Sequence, residues 1–247
     1  MSMRLASALV LGSFGLALVV GCGSSSDSTP AGTSGTSGTS GQPATGGTTL
    51  RGAITGATET GVLDLSVPGA TTTTKTLNPL GDPAAANAVT GAITLSTGGG
   101  TITLTGTYDA VTGNLTVSGA GYTLTGNLKN GVATGSYTGP KGAGQFTANA
   151  TNAGAVTIYC GTFMAKGDMG NWNVACTAAG ACSGSYYSTT KMGGATLTGT
   201  LTGTSLTLND GKGGTPATGT LAGTSVTGTC ATDGTCTFTG SVAACTK

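Results

Sequence analysis

The stretch "TITLTGT", Thr101 to Thr107, puts a threonine at every second position, with an apolar residue or glycine between. "ATLTGTLTGTSLTL", Ala195 to Leu208, repeats the habit over a longer run. Successive side chains point to opposite faces of a strand, so a period of two makes each stretch a strand with one threonine face and one apolar face. Threonine is β-branched, which suits a pleated strand, and its hydroxyl tolerates water. Ile102, Leu104, Gly106 and Tyr108 are therefore expected to face a core, and Thr101, Thr103, Thr105 and Thr107 to face solvent.

Outward from there, the chain from about Thr48 onward has the same texture. Short alternating segments are separated by Gly, Asn-Gly, Asp-Gly and Pro-Lys-Gly turns. It also reads twice. "LRGAITGATETGVLDLSV" (Leu50 to Val67) lies without a gap over "YCGTFMAKGDMGNWNVAC" (Tyr159 to Cys176). Further on, "TLTGT" at Thr103 matches "TLTGT" at Thr196, and "NLTVSG" matches "SLTLND". Leu124-Thr125-Gly126 matches Ala217-Thr218-Gly219, "TGSYT" at Thr134 matches "TGTCA" at Thr227, and "QFTANA" matches "TFTGSV". Each copy yields about eight segments of ordinary strand length. In the first copy (48–151) they start near Thr48, Gly61, Ala88, Gly100, Gly113, Gly121, Gly131 and Ala143. In the second (155–247) they start near Val156, Gly170, Ala181, Ala195, Thr204, Pro216, Thr224 and Cys236. Hairpin-length connections predict two tandem all-β antiparallel meanders, each closing into a small β-barrel. The copies differ in one long insert, Pro68 to Asn87, expected to be a surface loop.

The N-terminus carries an address. One early positive charge, Arg4, precedes an apolar run from Leu5 to Val20 and then Gly21-Cys22, the order of a signal peptide over 1–21. "VVGC", Val19 to Cys22, resembles the lipobox of bacterial lipoproteins. That resemblance implies cleavage before Cys22, lipid on its thiol and amine, and a stable anchor in the bacterial envelope membrane. Gly23 in place of Asp implies, in that family, sorting to the outer membrane. Residues 22–47 then form a flexible Gly/Ser/Thr tether with nothing apolar to bury.

The chain holds seven cysteines, so six remain after Cys22, all in the second copy. An even remainder in an exported chain implies disulfides. Cys230 and Cys236 share an inward face across a hairpin turn, and Cys176 and Cys182 share a side across "TAAGA". Cys160 and Cys245 both alternate outward at the two ends of the copy, which are neighbours if the barrel closes. The expected pairs are therefore Cys160–Cys245, Cys176–Cys182 and Cys230–Cys236.

Charged residues are 7% of the chain, against roughly 25% in an average globular protein. The net charge is +1, so nothing attracts nucleic acid. There is no histidine and no CxxC spacing, so neither a metal nor a cofactor is expected. The acidic residues after the signal segment are Asp27, Glu59, Asp64, Asp82, Asp109, Asp168, Asp210 and Asp233. Most sit at expected turns, where a carboxylate caps backbone amides, and Asp64 is expected to be solvated in mid-strand. No pair suits acid–base catalysis and no nucleophile elbow is present, so an enzyme is not expected.

The aromatic residues carry more information. Tyr108, Tyr122, Tyr137, Phe146, Tyr159, Phe163, Trp172, Tyr186 and Phe238 fall on inward parity, and Tyr187 falls outward. Such rings either fill a core or line a small-ligand cavity, with core filling the expectation and a cavity the alternative. Inward Gly106, Gly126, Gly135, Gly199, Gly219 and Gly228 leave room beside them. "GNWNV", Gly170 to Val174, resembles the Gly-x-Trp start of avidin-like strands. The tethered two-barrel layout resembles that of two-lobe surface lipoproteins such as transferrin-binding receptors. The expectation is a lipid-anchored, non-catalytic binding or interaction module for an unidentified protein or small molecule. A structural envelope coat without a ligand is the alternative. Ice binding by threonine arrays is a third reading, although a repeat of this length gives no flat, regular face.

Overall fold

Alternation becomes strand throughout the computed structural model, which describes residues 47–69, 87–96, 98–152, 154–230 and 235–245. The signal segment, Cys22, residues 23–46 of the tether and residues 70–86 of the insert lie outside the described residues, as do Asp27, Asp82 and Asp233. The first copy forms β1 (Thr48–Gly56), β2 (Thr60–Val67), β3 (Asn87–Leu95), β4 (Thr101–Tyr108), β5 (Asn114–Gly119), β6 (Tyr122–Lys129), β7 (Val132–Gly139) and β8 (Gly142–Ala150). The second forms β9 (Val156–Ala165), β10 (Asp168–Thr177), β11 (Ala181–Ser188), β12 (Gly193–Thr202), β13 (Ser205–Asn209), β14 (Ala217–Ala222), β15 (Ser225–Thr229) and β16 (Thr237–Ser241). A 3-10 turn, Ala243–Cys245, follows. Each expected strand start lies within two residues of the observed one.

Each set of eight closes into its own antiparallel barrel, β8 returning to β1 and β16 to β9. Closure removes every sheet edge, which a threonine-rich strand with little charge would otherwise leave open to pairing with another chain. Turn chemistry sets the hairpin registers. In the β6–β7 hairpin Asn130 and Gly131 both take positive φ, 53° and 77°, between the partnered residues Lys129 and Val132. That is the two-residue turn whose twist matches the flanking strands.

Side-chain parity follows the alternation. Along β4 the four threonines are exposed and Leu104 is buried, and β12 alternates over its whole length. In the first barrel the Phe146 ring lies across Gly126 and Gly135, which are register partners. A Cβ on either glycine would stand 2.7 Å from that ring. In the second barrel Phe238 lies in the same way over Gly219 and Gly228.

The two interiors are packed differently. Of the twelve largest fully buried side chains among the described residues, all but Leu206 belong to the first barrel. They include Leu50, Ile54, Leu63, Ile93, Leu104, Leu115, Leu124, Tyr137 and Phe146.

The barrels also meet side to side. Ala53, Val62, Ile158, Cys160, Ala175 and Cys245 form an apolar cluster between them. Asn149 Nδ2 donates to the Ala175 carbonyl at 2.6 Å, and Asn149 Oδ1 accepts from the Ser183 hydroxyl at 2.5 Å. The Thr147 hydroxyl donates to the Gly184 carbonyl at 3.0 Å. Asn173 Nδ2 reaches both Thr55 Oγ1 and Ser185 Oγ, and Asn171 Nδ2 reaches the Gly56 carbonyl at 2.9 Å.

This contact corrects two expectations from alternation alone. Cys160 and Cys245 do point away from the interior of their barrel, yet each is only 1% exposed because the first barrel covers them. Tyr187 is outward and nonetheless buried. Asp64 is half-exposed in mid-strand as expected, and Arg51 Nη1 meets its carboxylate at 2.8 and 3.1 Å across the β1–β2 pair. The six described cysteines stand in disulfide pairs Cys160–Cys245, Cys176–Cys182 and Cys230–Cys236, the pairs that strand parity selects.

Candidate functional site

The second barrel holds an open-mouthed cavity of about 490 Å³ at the end that carries its β9–β10, β11–β12 and β13–β14 turns and the Cys230–Cys236 bridge. That volume is in the range of small-molecule sites. One wall is aromatic: Phe238, Phe163, Trp172 and Tyr186 project from β16, β9, β10 and β11, which are consecutive in the sheet. Phe163 and Tyr186 meet edge to face at 5.8 Å between centroids, and Trp172 and Phe238 do so at 5.3 Å. Leu197, Leu208 and Ala217 form the facing wall. Trp172 Nε1 donates to the carbonyls of Thr162 and Thr239, so the polar edge of the indole is satisfied by the barrel wall. Its apolar surface is left to the cavity.

Two carboxylates stand at the mouth, Asp168 and Asp210. The Ser188 hydroxyl donates to Asp168 at 2.5 Å and the Lys191 ammonium lies 3.1 Å away. Burial pushes the Asp168 carboxyl up, but the Ser188 hydrogen bond and Lys191 outweigh it and hold the group below its ordinary value. Asp210 accepts from the Lys212 backbone N–H at 3.0 Å, and Lys212 Nζ donates to the Tyr186 hydroxyl at 3.3 Å. The same ammonium lies 5.9 Å from the Tyr186 ring centroid, so the mouth carries its own cation–π contact. Among the described residues no group of three or more metal-ligating side chains stands together.

The registers explain why this barrel is hollow. Leu124 pairs with Val117 and Tyr137 in the first barrel. Ala217 pairs with Leu208 in the second, and continuing the β14–β15 register places it opposite Cys230. Tyr122, two residues before Leu124, corresponds to Thr215, two residues before Ala217. A leucine and two tyrosines are thus replaced by Ala217, Cys230 and Thr215, and these three all line the cavity.

The carboxylate persists. Phe163 pairs with Gly170 as Ile54 pairs with Gly61, which sets Asp168 in the place of Glu59. Glu59 lies in the β1–β2 turn and is 2% exposed, so it is a buried carboxylate. The Tyr122 hydroxyl donates to Glu59 Oε1 at 2.7 Å, Tyr137 donates to the Glu59 carbonyl at 3.5 Å, and Lys141 lies 3.6 Å away. Burial, then the hydrogen bond and charge of Glu59, push Tyr122 up to about 12. The first barrel therefore closes this end with its own phenols, and the second does not.

The inward aromatic residues consequently divide by barrel. Tyr122, Tyr137 and Phe146 fill the first core, with Tyr108 packed half-buried against it. Phe163, Trp172, Tyr186 and Phe238 line the second cavity, and Tyr159 packs in the second core. Asp168 and Asp210 were not distinguished from other turn carboxylates by alternation. The signal that finds the site is the alignment of Leu124 with Ala217 and Tyr137 with Cys230.

The architecture is thus a tandem pair of eight-stranded antiparallel barrels, one filled and one hollow. The chain matches no protein-family model, no curated protein and no solved structure.

Proposed function

We propose that this chain is a lipid-anchored protein of the bacterial envelope, held at the outer membrane through Cys22, whose second barrel binds a small, largely apolar ligand. The first barrel is the solid body against which that cup is mounted. One observation carries the reading: two barrels of one ancestry differ by the loss of three large inward side chains at one end, and that end holds the cavity. Sequence drift in a core that must stay filled favours compensating enlargement, because an unfilled apolar void is destabilising. The cavity instead keeps an ordered aromatic wall and a charged mouth, the arrangement of a ligand site. Its role is non-catalytic: Asp168 is held by Ser188 and Lys191, and the cavity's two cysteines are bonded to each other.

Trp172 is the only tryptophan in the chain and lines the cavity, so its fluorescence reports occupancy directly. A panel of small apolar and aromatic compounds, titrated into mature protein, should shift that emission and raise the melting temperature. Silence across the panel would favour the envelope-coat reading instead. The anchor is tested separately: Cys22→Ser should release the protein from membranes, and the wild-type N-terminal peptide should carry the mass of its acyl chains.

A further inference from the structure

The first barrel contains, within its own chain, a picture of what its hollow sibling accommodates. At the closed end of the first barrel a carboxylate, Glu59, receives a phenolic hydroxyl from Tyr122 and has a lysine, Lys141, beside it. The Tyr137 ring stands 6.3 Å from the Tyr122 ring and completes the plug. The second barrel keeps the carboxylate on equivalent register as Asp168, and pairs it with Lys191 from the β11–β12 turn, where Lys141 of the first barrel comes from the β7–β8 turn. It lacks both phenols, having Thr215 and Cys230 in their places, and adds an aromatic wall.

We propose that the second barrel binds a phenol, a small aromatic ring bearing a hydroxyl, seated where the first barrel seats Tyr122 and Tyr137 and donating its hydroxyl to Asp168. This rests on reading the cavity as a ligand site. The charge balance favours a neutral donor. Ser188 and Lys191 each engage one Asp168 oxygen and Lys191 offsets its charge, so the lone pairs that remain accept a neutral donor more readily than a second cation. An aromatic carboxylate has no hydrogen to donate to Asp168 and would add a third negative charge beside Asp168 and Asp210, which Lys191 and Lys212 already accompany. A bare hydrocarbon would fit the wall but press an apolar edge against a charged acceptor, which is unfavourable. The ring itself suits Phe163, Trp172 and Phe238, which offer both edges and faces.

The test uses mature protein, Trp172 emission and calorimetry, with three probes of matched shape: p-cresol, toluene and 4-methylbenzoate. A hydrogen bond to a charged acceptor gives a roughly ten- to hundredfold preference for p-cresol over toluene, with 4-methylbenzoate weakest. Toluene within threefold of p-cresol, or the benzoate tightest, overturns the phenol assignment while leaving the cavity a ligand site. No response to any of the three also overturns it, and the ligand-site reading falls only if the broader panel is silent too. Ala217→Leu, which restores the residue of the first barrel, should abolish p-cresol binding in a folded protein; unchanged binding places the ligand elsewhere and overturns the proposal. Conversely, Tyr122→Ala empties the first barrel beside Glu59. p-Cresol should then raise the melting temperature of that variant more than toluene does, and an equal effect counts against the template.

Discussion

Removing the Cys160–Cys245 bridge should destabilise the second barrel more than removing either of the others. β16 closes on β9 through five register pairs, from Thr237 opposite Met164 to Ser241 opposite Cys160. The bridge then ties Cys160 to Cys245 in the 3-10 turn just beyond, across a sequence separation of 85. Chain-entropy reasoning gives a loop of that length a stabilisation of about 4.6 kcal/mol, largely through the unfolded state. The Cys176–Cys182 and Cys230–Cys236 bridges span 6 residues each. The same expression gives about 2.2 kcal/mol for such a loop. Both outer sulfurs are also packed between the barrels with Ala53 and Val62, so their loss leaves an unfilled space that adds to the effect. The double variant C160A/C245A should therefore lose about twice as much stability as C176A/C182A. Urea unfolding followed by Trp172 emission measures this, because that signal belongs to the second barrel alone. With equal slopes, the difference in midpoints gives the free-energy difference directly. If C160A/C245A unfolds at the same midpoint as C176A/C182A or above it, the closure of β16 on β9 does not depend on the bridge and the reasoning fails.

Four further outcomes follow from the same structure. Phe146→Ala, in the filled barrel, should cost about 3–5 kcal/mol, whereas Leu197→Ala, on the cavity wall, should cost under about 2 kcal/mol; equal losses in chemical denaturation would mean that the second interior is packed as tightly as the first. Asn173→Ala strips a shared donor from Thr55 and Ser185, both fully buried, for about 1–3 kcal/mol. It should also separate the fluorescence and far-UV circular dichroism transitions, since Asn173 ties one barrel to the other. Tyr122 is raised to about 12 from 10, so its contribution to stability is fully present below about pH 10 and is lost as pH rises through about 12. Spectrophotometric phenolate titration should show this late-titrating group, and Glu59→Gln should move it partway down, burial being the larger cause. Finally, reductant should unfold the second barrel while leaving the first, and equal loss of both would show that the first depends on the second for its fold.

What could be read in the sequence was local chemistry. Period-two alternation is a property of one strand, and positive-φ turns such as Asn130-Gly131 belong to one hairpin, so strand starts and facing sides need no knowledge of partners. Two cysteine pairs followed from shared facing across a single turn, and Cys160–Cys245 followed because closure makes the first and last strands of a copy neighbours. The contact between the barrels could not be read in this way. Thr147, Asn149, Asn173, Ser183 and Ser185 are outward and polar, which alternation scores as solvated skin, yet they are buried by hydrogen-bonding to one another and to facing backbone. A chemical difference was nonetheless present: the threonine ladders of β4 and β12 stay exposed, and the contact adds Asn149, Asn173, Ser183, Ser185 and Ala175, which offer amides, hydroxyls or little bulk.

The cavity was legible only by subtraction. Inward parity is the same for Tyr137 and Cys230, or for Leu124 and Ala217, so a parity argument counts each as core and cannot register a void. Volume is a property of the whole layer. It emerges only when equivalent layers of two barrels are compared on a common register. Duplication therefore does more than repeat a fold. It supplies a filled reference for the hollow copy, and the buried Glu59 marks the end at which the two copies differ. The threonine ladders are the neutral wall around this difference. What separates the filled barrel from the hollow one lies on the opposite parity, in whether the residues between the threonines close the end of the barrel or leave Asp168 facing an aromatic cup.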